Sequence, residues 1–113
     1  MAYFHKNLTQ ESWNSLPKDK QILNIASELM RAKNMLKKNN SEYFLNSLNR
    51  SLELVDLSIN DRDKWQGGSL RELLRFREYS ANFYFEEKRS LEDFLKLIKS
   101  LLLFHPESAK VEI

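Results

Sequence analysis

The sequence predicts an all-α protein, an antiparallel four-helix bundle with a short extra N-terminal helix, spanning residues 1–113 as a single domain. Three observations carry this. Leucine occurs nineteen times, against five isoleucines, two valines and one threonine, a usage rich in helix formers and poor in β-branched residues. Two glycines and two prolines are too few turn formers for a sandwich, a barrel or a doubly wound α/β fold. Finally, apolar residues recur at steps of three and four along most of the chain.

Each element follows from local chemistry. Residues 1–8 are a short arm carrying Tyr3, Phe4 and Leu8. Thr9 is an N-cap for a helix to about Ser15, with Trp13 turned inward. Ser15-Leu16-Pro17 reads as a cap and an early-turn proline opening a second helix to Lys38. Ile22, Ile25, Ala26, Leu29, Ala32 and Leu36 make its stripe. Asn39-Asn40 closes it, since asparagine tolerates the left-handed conformation that ends helices. A third helix, about Ser41 to Ile59, carries Leu45, Leu48, Leu52, Val55 and Ile59 as a packing seam.

Residues 60–68 hold both glycines and many charges and are expected to be the mobile loop. Ser69-x-x-Glu72 reads as a capping box opening a fourth helix to about Glu87. Ser90 caps a fifth, and Leu91, Phe94, Leu95, Ile98, Leu101, Leu102 and His105 share its face until Pro106 stops it. Residues 107–113 are expected to fray.

The hairpin of helices two and three, about residues 20–54, resembles one tetratricopeptide repeat. Ala32-Lys33-Asn34-Met35-Leu36, Asn39-Asn40-Ser41-Glu42-Tyr43 and Ser51-Leu52-Glu53-Leu54 carry the likeness, with Ser51 and Asn40 where that family has alanine and glycine. One copy is present where a solenoid needs about three, so the likeness implies a helical hairpin alone. Trp13 to Asn34, with Arg71-Glu72-Leu73-Leu74-Arg75, is similar to small uncharacterised helical-bundle proteins of prokaryotes. That resemblance implies a fold and no activity.

Composition argues against most chemistry. With no cysteine, disulfides, thiol catalysis and cysteine-ligated metals are excluded, and a reducing cytoplasm is the expected compartment. The longest apolar run, Leu101 to Phe104, is far short of the roughly 20 residues that span a bilayer, so no membrane partner is expected. His5 and His105 lie at opposite ends with no second histidine one turn away, so no metal and no cofactor is expected. The twelve serines include no nucleophile elbow and cluster at expected caps: Ser15, Ser41, Ser69 and Ser90. Gly67-Gly68 lacks the lysine and hydroxyl of a phosphate loop and reads as a hinge. Arg89 and His105 are too far apart for the Arg-spacer-His pattern of HEPN-type ribonucleases. An enzyme is therefore not expected.

Three arrangements remain. Lys18 to Lys38 holds six basic and two acidic side chains, net +4, and helix four adds Arg71, Arg75 and Arg77. Lys37, Arg71 and Arg75, with Lys33 or Lys64, could line a basic edge that touches nucleic acid. A solvated face of i,i+4 pairs is the favoured account.

Polar residues also fall within apolar stripes. At about 100° per residue, Arg77 lands between Leu73 and Leu70, Asp56 beside Leu45 and Leu52, and Lys33 between Ile22 and Ala26. Unpaired buried ions are costly. The expectation is an Asp56–Arg77 ion pair inside or at the rim of the bundle, with Lys33 reaching toward it. It either fixes helix register, forms a small polar pocket that holds an anion or a partner's carboxylate, or is left at a solvent seam.

Last, Leu70, Leu73, Leu74, Phe76, Ala81, Phe83, Tyr84 and Phe85, with Leu97, Leu103 and Phe104, exceed what one four-helix core covers. Such excess marks an interface, and a twofold homodimer is its commonest form. The expected function is self-association and protein–protein interaction.

Overall fold

The structure is a computed structural model that describes residues 8–113; the arm residues 1–7, with Tyr3, Phe4 and His5, lie outside the described residues. The described residues form five α-helices and a closing 3-10 turn, with no strand. They are α1 (Gln10–Asn14), α2 (Lys18–Lys37), α3 (Ser41–Ile59), α4 (Gly67–Phe85), α5 (Leu91–Leu102) and the turn Ser108–Lys110. Short connections force antiparallel neighbours. Packing runs in a ring: α2 lies on α3, α3 on α4, α4 on α5, and α5 back on α2. α2 and α4 thus stand at opposite corners, and the four long helices make the expected all-α bundle.

The caps explain the boundaries. Thr9 accepts the Ser12 backbone N–H at 3.0 Å, and the Ser12 hydroxyl accepts the Thr9 N–H at 3.0 Å. α2 ends where Asn39 takes a left-handed φ of 56°. The Asn40 side chain then caps α3 by accepting the Tyr43 N–H at 3.2 Å, and Ser90 caps α5 through the Asp93 N–H at 3.2 Å. Of the four serines expected at N-caps, only Ser90 holds that place. Ser41 follows its cap, and Ser15 closes α1.

Three expectations are corrected. First, α4 opens two residues before Ser69. Gly67 adopts φ 54°, a conformation other residues enter at a cost, and starts the helix directly. Ser69 serves instead as the third residue, its hydroxyl accepting the Gln66 N–H at 3.2 Å. Second, α5 ends at Leu102, and the tail is tied down at its 3-10 turn, with 111–113 exposed beyond it. Ser108 is fully buried, its hydroxyl shared between the Leu102 and His105 carbonyls at 2.7 and 3.0 Å, and the 3-10 turn packs on α2 and α5. Third, residues 60–68 are anchored, because Asp61 and Trp65 are buried.

Much of the expected apolar excess is absorbed. Phe76, Phe83 and Leu97 are core residues and Phe104 packs against the core. Phe94 takes edge contacts from Phe44 and Phe83 at 5.3 and 5.1 Å between centroids, and Phe104 meets Trp65 and Phe76, both at 6.1 Å. Such edge-to-face pairs are the favoured aromatic geometry. Leu74, Tyr79, Tyr84 and Phe85 of α4 remain exposed, as does Leu103.

Candidate interaction face and the buried polar knot

Two polar arrangements organise the molecule. The first closes one end of the bundle. Gln21 sits in the first turn of α2 and is fully buried. Its Nε2 donates to Asp61 Oδ2 at 2.8 Å and to the Trp13 carbonyl at 3.1 Å, and its Oε1 accepts the Trp65 Nε1–H at 2.9 Å. Lys64 Nζ adds a 3.0 Å bond to the same Asp61 oxygen and also donates to the Asn14 carbonyl. The Trp13 Nε1–H meets the Ser58 hydroxyl at 3.1 Å, which in turn donates to the Leu54 carbonyl at 2.9 Å.

One amide and one carboxylate therefore tie α1, α2, the end of α3 and the 60–66 loop together. Burial pushes the Asp61 carboxyl up, but bonds from Gln21 and Lys64, with the Lys64 charge, outweigh it and hold the group below its ordinary range. Lys18 lies over the Trp65 ring at 4.4 Å, and burial lowers its ammonium pKa.

Gln21 and Asp61 are 40 positions apart, and no spacing rule connects them. The available signal was Gln21 on the line of Ile25 and Ala32, a polar residue on a buried stripe. Glu28 shares that line and is also buried. One of its oxygens takes Arg31 at 2.8 Å, and the other has no bonded partner.

The second arrangement is the outer α3/α4 face. Arg77 Nε donates to Asp56 Oδ1 at 2.5 Å and an NH2 group reaches Oδ2 at 3.3 Å. The Asp56 bond holds the guanidinium pKa above its usual value against the effect of burial. The side chains are 39% and 44% exposed for Arg77 and Asp56, which puts the pair at the surface of the seam and outside the core. Both residues lie at the outer margin of the α3/α4 contact, where water reaches them. Stepping along each helix from this bond sets the rows of the face. Four residues one way bring Leu52 level with Ala81, and three residues the other way bring Ile59 level with Leu74. Beyond Ala81, Tyr84 and Phe85 stand exposed, their rings in edge contact at 5.5 Å.

Lys33 does not join this pair. It lies half-buried on α2, which has no substantial interface with α4, and no ion pair links it to Asp56 or Arg77. The basic edge does not assemble either. Lys37 ends α2 beside a cleft of about 250 Å³ lined by Asn39, Asn40, Ser41, Glu87, Lys88 and Arg89. That cleft lies past the C-terminal end of α4, whereas Arg71 and Arg75 occupy its first half, on the order of 15–20 Å away along the helix. Arg75 spends its charge on Glu72 at 3.4 Å, and Lys64 belongs to the knot. Arg89 closes the cleft, donating to the Phe83 and Tyr84 carbonyls at 2.6 and 3.1 Å and lying over the Phe44 ring.

The Nδ1 of His105 accepts the Glu107 N–H at 3.1 Å. Among the described residues no three His, Cys, Asp or Glu side chains converge as a metal site, and no helix is long and apolar enough to cross a membrane. Comparison with protein-family models, curated proteins and solved structures gave no match.

Proposed function

We propose that the chain is a non-catalytic, cytoplasmic interaction module that self-associates and binds a partner protein through the outer α3/α4 face. One observation carries this: a half-exposed ion pair set among exposed or half-exposed apolar residues on a face that no other described helix covers. A surface that only faced water would gain nothing from Leu74, Tyr84 and Phe85. The complete lack of cysteine agrees with a reducing compartment.

Sedimentation equilibrium at tens of micromolar, roughly where modest interfaces assemble, is the test. A dimer supports the proposal, and a lone 13.5 kDa species overturns its self-association half. Nucleic-acid binding through Lys37, Arg71 and Arg75 is the weaker proposal, since those side chains do not converge. A gel shift lost steeply with salt is the result that would revive it.

A further inference from the structure

The face has a property that selects its occupant. Its α3 half carries Glu42, Glu53 and Asp56, and its α4 half carries Arg71 and Arg77 against Glu78; Arg75 lies about 160° around α4 from Arg77 and is paired with Glu72. A surface split into an acidic and a basic half is complementary to itself under a twofold rotation.

The geometry points to a second copy of this chain as the occupant, seated about a twofold axis that runs along the helices, so that Asp56 of each chain pairs with Arg77 of the other. This rests on the self-association reading and adds its geometry. A twofold axis along the helices preserves height. Each residue of α3 then meets the partner residue already level with it within one chain. The Asp56–Arg77 bond makes those levels explicit: Leu52 faces the partner subunit's Ala81, and Ile59 faces the partner subunit's Leu74. Apolar rows meet apolar rows, and Asp56 meets Arg77. α3 also runs antiparallel to the partner's α4, the favourable arrangement of helix dipoles. An axis across the helices does the reverse. It lays α3 on α3 and sets acid against acid, which is repulsive.

Charge reversal tests the pairing. Asp56→Arg and Arg77→Asp each place like charges across the axis, and each is expected to weaken association at least tenfold by sedimentation velocity. Mixing the two single variants restores opposite charges at both contacts, so a mixed dimer should recover to near the wild-type affinity. Only a contact between chains permits that recovery. Leu74→Glu, at an exposed position that leaves the core intact, is expected to weaken association by a similar factor with an unchanged melt. It serves as the test if a reversal variant fails to fold. A wild type that dimerises while the reversals change nothing, or while their mixture stays monomeric, overturns the pairing and leaves self-association standing. In the Leu74→Glu arm, unchanged association overturns it too. A wild type that stays monomeric at hundreds of micromolar overturns both.

Discussion

Asp56 and Asp61 stand five residues apart near the end of α3, and each accepts from a basic side chain, yet they serve the molecule differently. Asp61 is 2% exposed and holds Lys64 and Gln21 on one oxygen, within a network that reaches both tryptophans. Asp56 is 44% exposed and bonds only Arg77, across two helices that already pack through other residues. The contrast shows that an ion pair acquires structural weight from how many segments depend on it and how little water reaches it. The buried carboxylate fastens the short α1 and a loop that have few other anchors. The open one decorates a seam.

The largest expected effect follows from the buried member. Asp61→Ala removes the acceptor for Gln21 Nε2 and Lys64 Nζ together. Breaking a fully buried pair costs about 3–5 kcal/mol, and the partial exposure of Lys64 places this variant near the lower end. Urea melts compare it with wild type. A loss below about 1 kcal/mol, the range of surface pairs, would show that the knot matters no more than the Asp56 pair.

Gln21→Leu attacks the same knot from its neutral side. It strands the Trp65 indole N–H and takes one donor from Asp61, at about 2 kcal/mol for buried groups left unpaired. Trp13 and Trp65 are the only tryptophans, so a shift of native-state fluorescence should accompany the loss. An unchanged spectrum would place the indoles outside the amide's influence.

The pH dependence separates the aspartates further. The folded-state pKa of Asp61 is depressed, so its stabilising contribution is present above the unfolded value of about 3.9 and is lost as pH falls through the lower folded value. The stability gap between wild type and Asp61→Asn should stay constant from pH 7 to about 5. It should then close as pH falls from about 4 through the folded value. A gap that closes between pH 7 and 5 contradicts the depressed pKa.

How much of this was legible in the sequence depends on range. Helix number and order followed from local rules, as did the caps Thr9 and Ser90, which act within three residues of themselves; Asn40 caps α3 where Ser41 was expected. Asp56 and Arg77 were also legible as a pair, since helical angles put both among the apolar residues of facing stripes. Those angles do not carry depth, and depth separates a buried pair from a seam. The knot was hidden because Gln21 and Asp61 meet only after α2 and α3 have folded back on each other. Nor did the charges and glycines of residues 60–68 show that Asp61 and Trp65 are buried among them. Lys37 and Arg71 failed together for a related reason. Both are basic and on exposed faces, but the antiparallel ring sends them to opposite ends.

A gain in stability comes next in size. Ser80 is fully buried on the inner face of α4, and its hydroxyl has no partner. Ser80→Ala removes an unsatisfied group and improves helix propensity, with little volume lost. It should stabilise the protein by about 1 kcal/mol. A loss instead would mean that the hydroxyl has a bonded partner in solution, such as an ordered water.

The smallest effect belongs to the open pair, and it brings the comparison to its sharpest form. Asp56→Ala and Arg77→Ala each leave a partner that water can solvate, because both side chains are more than a third exposed. Each should cost the monomer about 0–1 kcal/mol, and the double-mutant cycle should return a coupling in the same range. The bidentate geometry favours the upper part of that range, while the entropy of holding a long arginine side chain opposes it. A coupling of 3 kcal/mol or more, the size expected for a buried pair, would mean that water does not reach the seam and that Asp56 and Asp61 are equivalent after all. The concentration at which the cycle is measured matters. Covering the pair with a second copy removes the solvent that makes it weak, so the coupling should rise with protein concentration if the α3/α4 face is where the chains meet. Measured below the dissociation constant, the cycle reports an open seam; measured well above it, a covered one. A coupling that stays flat across that range would leave Asp56 and Arg77 as a pair that holds two helices in register and nothing more.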